Sequence, residues 1–103
     1  MFTDINEQQF SEIFVAVNQE NIKQDLKIKY LDFDITKKII SEFITKHPEI
    51  IQKYRNCWRN KELYTNIINV LTSAQTTGVC LEMTAEQYAD YLNTKLHKYK
   101  FIE

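Results

Sequence analysis

With 103 residues, 44% of them hydrophobic and 26% charged, the chain has the make-up of one folded domain and lies far from the polar, proline-rich profile of a disordered polypeptide. Its formal net charge of −1 excludes a global electrostatic attraction to nucleic acid or to an anionic membrane. One glycine and one proline among 103 residues leave turn punctuation scarce, which favours long helices over many short strands.

Taken in chain order, Asp4 to Glu7 resembles a helix start, with an acceptor at Asp4 and an acidic partner three residues on. Phe10, Ile13, Phe14 and Val17 then recur at helical spacing, which predicts a first helix over 5–18. It should end at the amide-rich run Asn18 to Asn21, where short side chains compete with the backbone. Residues 22–33 read either way: Leu26, Ile28 and Tyr30 alternate as in a strand, whereas Ile22, Leu26, Tyr30 and Phe33 fit one helical face. Asp34 offers a cap for a helix over 35–46 with the apolar stripe Ile35, Ile39, Ile40, Phe43 and Ile44.

His47-Pro48 marks a boundary, because the residue before proline is pushed out of the α region and proline suits the first turn of a new helix. Ile50, Ile51, Tyr54, Cys57 and Trp58 continue a helical face, as do Leu63, Ile67, Val70, Leu71 and Ala74, with a break expected near Asn60. The polar run Thr72 to Gly78 ends that helix, and Val79 to Met83 reads as extended. Thr84-Ala85-Glu86-Gln87 is a capping box, followed by Tyr88, Leu92, Leu96 and Tyr99, so a last helix over 85–99 follows. The fold class is therefore mainly α: a single domain over 1–103, built as a compact bundle of four or five helices. A minor two-stranded element from residues 26–33 and 79–83 is the alternative.

Chemistry is sparse. His47 and His97 lack the spacing that would place two ligands on one helical face, and each is better placed at a helix end. Cys57 and Cys80 lie in no CxxC or Cys/His cluster, and the first residues lack the pattern of a secretory signal, so two reduced thiols in a cytoplasmic protein are expected. A single glycine cannot build a phosphate-cradling loop. The carboxylate pairs Asp32/Asp34 and Glu86/Asp90 are more simply explained as charges that suit helix N-termini than as acid–base machinery. No catalytic residue, metal or cofactor is assigned.

The most distinctive segment is 53–61, where Lys53, Arg55, Arg59 and Lys61 interleave with Tyr54 and Trp58. Such a mixture of planar and cationic groups suits a protein hot spot or a nucleic acid, although Tyr54 and Trp58 are also in phase with Ile50 and Ile51 and can pack inward. It sits in a basic stretch: residues 35–61 carry seven basic and two acidic groups, between flanks richer in acid. A helix-turn-helix reading around His47-Pro48 fits poorly, because Ile50 and Ile51 occupy the turn where base-reading groups belong. Absent catalytic motifs and plentiful aromatics lead to a non-enzymatic protein that binds another protein as adaptor, inhibitor or regulator, with self-association as a further option and no membrane partner. A nucleic-acid-binding regulator using 53–61 is the alternative. The richness in Lys, Ile, Asn and Tyr fits an AT-rich genome, a composition common among small accessory proteins of phages and mobile elements.

Overall fold

The computed structural model describes residues 7–28, 30–54, 60–76 and 83–100. Within them lie five helices: α1 (Glu7–Gln24), α2 (Phe33–Lys46), α3 (Pro48–Tyr54), α4 (Asn60–Thr76) and α5 (Ala85–Lys98). Together they take in more than half of the chain.

The first helix runs six residues beyond its expected end at residue 18, and the reason lies in what the amides do. Asn18 is buried; its side chain donates to the Phe14 carbonyl (2.8 Å) and accepts from the Leu31 amide (3.1 Å), while Asn21 donates to Asn69 on α4 (3.1 Å). These groups are engaged in tertiary contacts rather than in breaking the helix. Phe10, Ile13 and Phe14 enter the core as the spacing requires.

Of residues 22–33, those described form neither a strand nor one continuous helix: 22–24 finish α1, Phe33 opens α2, and the described residues between them are turn and loop. Asp25 starts a turn, its carboxylate accepting from the Lys27 amide (3.0 Å) and its carbonyl from Ile28 (3.0 Å), and Leu26 projects into solvent, 88% exposed. No strand occurs among the described residues; residues 79–82, the other half of the two-stranded alternative, lie outside them.

The second helix starts two residues before the expected position, on Asp32 rather than Asp34. The Asp32 carboxylate accepts from the Ile35 amide at 2.9 Å. The cause is Phe33, whose ring packs on Phe14 and Phe10 with centroids 5.0 and 5.8 Å away, drawing that residue into the first turn. Asp34 remains in that turn, where its charge faces the positive end of the dipole. At the other end the His47 amide bonds back to the Phe43 carbonyl (2.9 Å), and Pro48 opens α3 as expected. α4 begins at Asn60, and Leu63, Tyr64, Ile67, Ile68, Leu71 and Ala74 bury its inner face. Both bonds of the capping box exist, Gln87 amide to Thr84 hydroxyl (3.1 Å) and Thr84 amide to Gln87 side chain (3.0 Å). α5 ends through Lys100, which takes the left-handed conformation (φ 60°) that glycine would adopt without strain.

The packing pairs distant parts of the chain: α2 lies chiefly on α5, α1 on α4, α4 joins the two pairs through α5, and α3 folds back on α2. The Cα radius of gyration is 12.8 Å, as expected for a compact body of this length. The core is one contiguous cluster, with Phe10, Ile40, Phe43, Tyr64, Ile67, Ile68, Leu92 and Leu96 sealed at its centre. No helix among the described residues is long and apolar enough to cross a membrane.

Candidate functional site

An amphipathic helix buries its apolar stripe only as far as its neighbours reach. On α2 the stripe Ile35, Ile39 and Phe43 repeats every four residues, but cover is uneven: Phe43 is fully buried and Ile39 nearly so, whereas Ile35 is 59% exposed. The uncovered end opens into a groove of about 390 Å³, a volume within the range of ligand and peptide pockets. Ile35, Thr36, Lys38 and Ile39 form one wall, Leu71 and Gln75 of α4 another, and Ala85 and Tyr88 of α5 a third; Leu31, Asp32 and Met83 close the ends.

Polar devices fix the α2 and α5 walls and the Leu31 end. Asn18 holds the Leu31 amide from beneath, and Asp32 turns its carboxylate back onto the α2 amides. The Thr84–Gln87 box sets the first turn of α5 and with it Ala85 and Tyr88. Inside, the Gln75 side-chain oxygen is shut away from solvent, with no hydrogen-bond donor among the described residues. A buried carbonyl oxygen without a donor costs free energy, so this end of the groove carries a polar strain that the apolar walls do not relieve.

At the far end of α2 the charges close on themselves. The Lys46 ammonium contacts both Asp90 oxygens at 2.9 Å and Glu86 at 3.4 Å, stapling α2 to α5. Hydrogen bonding to Asp90 above all, with that to Glu86 and the charge of both, holds Lys46 above its usual 10.5 against an opposing desolvation. The Glu86/Asp90 pair thus serves a structural cross-link, with an ammonium lying on the carboxylate a general base would need. His47 lies beside it, its ring on Phe43 (5.4 Å), Nδ1 3.7 Å from Glu49 and Nε2 4.0 Å from Asp90. His97 is at the end of α5, its Nδ1 on the Asn93 carbonyl (2.8 Å). The two histidines belong to different helix ends, and among the described residues no three His, Cys, Asp or Glu side chains gather where a metal could be held. Cys57 and Cys80 lie outside the described residues.

Of the segment singled out in the sequence, Lys53 is exposed at the end of α3 and Lys61 is exposed in the first turn of α4. Arg55, Trp58 and Arg59, and the side chain of Tyr54, lie outside the described residues. The groove is what sequence reasoning missed. Ile35 looked like one more core position because its phase is right; its exposure depends on where α4 and α5 run relative to α2, which no local pattern encodes. Leu26 and Tyr30, in the segment just before it, are exposed as well.

Compared with known proteins, no family model matches the chain, and no curated protein and no solved structure matches it.

Proposed function

We propose that this protein is non-enzymatic and acts by binding another protein, as an adaptor, inhibitor or regulator, with the α2 groove as the contact face. The observation that carries the reading is the unfinished stripe of α2: Ile35 is in phase with the core yet 59% exposed at the mouth of an apolar groove. What supports a binding role is the continuity of Ile35 with a concave apolar groove, since a lone exposed side chain would need no explanation. The groove, at about 390 Å³, has room for one or two large apolar side chains of a partner segment.

The test compares two exposed apolar positions. In the complex recovered from the native host, Ile35→Glu should weaken binding about tenfold or more, the loss expected for an anchor at the centre of an interface. Val15→Glu, on α1 and outside the groove, should leave affinity within about twofold, a rim-sized effect. Unchanged affinity with Ile35→Glu, or equal losses at both sites, would remove the groove from the interface.

A further inference from the structure

The C-terminal half of α5 presents a second surface, of a different chemistry from the groove. Residues 91–100 contain Lys95, Lys98 and Lys100 and no acidic side chain. Cations near a helix C-terminus commonly answer the dipole and the open carbonyls. Here two of the terminal carbonyls already have backbone donors, Lys95 receiving the Tyr99 amide (3.0 Å) and His97 the Lys100 amide (3.1 Å), and His97 Nδ1 bonds the Asn93 carbonyl. The ammonium groups turn to aromatic faces instead. Lys95 Nζ stands 5.5 Å from the Tyr91 ring centre and 5.9 Å from that of Tyr99, and Lys98 Nζ lies 5.9 Å from Tyr99.

Tyr91, Lys95 and Tyr99 are spaced i, i+4, i+8, so ring, ammonium and ring form a ladder along one face. A ring orders a lysine without neutralising it: the charge and the outward N–H groups remain available, and part of the rotamer entropy of binding is already spent. Among the described residues no carboxylate pairs with Lys95, Lys98 or Lys100, in contrast to Lys37 on Glu7 (2.9 Å) and Lys46 on Asp90 and Glu86.

We propose that this lysine–tyrosine ladder binds an acidic segment of a protein partner. Carboxylates can meet the outward ammonium groups, and the half-exposed Tyr99 flanks them with a phenol. A nucleic acid fits less well, because stacking needs bare ring faces. Those of Tyr91 and Tyr99 carry ammonium groups, and Tyr91 is further engaged edge-on by Tyr88 at 6.2 Å.

The experiment titrates the full chain with a fluorescent nonaglutamate peptide and with an oligothymidylate of equal charge at low salt. Lys95→Gln/Lys98→Gln should weaken peptide binding about tenfold, as expected from the loss of two exposed ion pairs. Lys23→Gln/Lys27→Gln, the same charge change at exposed positions elsewhere, should leave it within about twofold. Tyr99→Leu keeps every charge and should still cost about threefold through lost ordering of the lysines. Unchanged far-UV circular dichroism shows that the variants are folded. Equal losses in the two double variants, no measurable peptide binding by the parent chain, or oligothymidylate binding as tight as the peptide would overturn the proposal.

Discussion

Asn18→Ala isolates a buried amide that joins α1 to the segment entering α2. Asn18 is 1% exposed and makes two bonds, donating to Phe14 and accepting from the Leu31 amide. Losing the acceptor strands the Leu31 N–H, at about 1–3 kcal/mol for a donor left without a partner. The Phe14 carbonyl loses little, since the regular helix bond from the Asn18 amide still reaches it. A void of roughly 30 Å³ adds about 0.7 kcal/mol, and the better helix propensity of alanine returns about 0.5 kcal/mol. The net cost is about 1.2–3.2 kcal/mol, or roughly 5–26 °C in Tm for a domain of this size, small enough for the variant to fold at room temperature. Urea unfolding gives the free energy, and hydrogen exchange at the Leu31 amide reports the lost bond directly. A change below about 0.5 kcal/mol with Leu31 protection intact would refute the latch.

Three further outcomes follow from the same packing. Ile35→Ala should cost less than about 1 kcal/mol by chemical denaturation, because the side chain is mostly exposed, whereas Phe43→Ala in the sealed centre should cost about 3–5 kcal/mol; similar values would mean that Ile35 is core. Thr84→Ala removes one bond of the capping box and should lower stability by about 1 kcal/mol with exchange accelerating first in α5; no change in either would dismiss the cap. Lys46 has its pKa raised by Asp90 and Glu86, so its stabilising contribution is complete below the usual 10.5 and disappears as pH rises through the raised value. Lys46→Met should accordingly flatten the alkaline fall in stability, and an unaltered alkaline limb would show that the staple contributes nothing.

Local signals made most of the helices readable. The Thr84 capping box, the His47-Pro48 boundary and the stripes of Phe10–Ile13–Phe14 and Leu63–Ile67–Leu71 depend only on neighbours in sequence, and each stands where its spacing put it. The failures share a cause in tertiary contact. Asn18 and Asn21 looked like helix breakers because their amides seemed to have no other use; Leu31 and Asn69 supply that use from 13 and 48 residues away. Asp34 gave way to Asp32 as the cap, and Phe33, now in the first turn, packs on Phe10 and Phe14 of α1, a contact the local pattern does not show. The groove was least legible of all, since exposure of Ile35 is a property of how three helices meet. The ladder on α5 was partly visible as lysines near a C-terminus, but not the turning of their ammonium groups onto Tyr91 and Tyr99.

Contact through the α2 groove is tested most directly by placing a photo-crosslinking phenylalanine analogue at position 35 or, separately, at position 15, and irradiating in the native host. Both positions carry exposed apolar side chains, so both accept the analogue without disturbing the core. A discrete protein adduct from position 35, with the partner peptide mapped by mass spectrometry and no matching adduct from position 15, is the result the groove predicts. No adduct at 35, or the same adduct in equal yield from both positions, would contradict it.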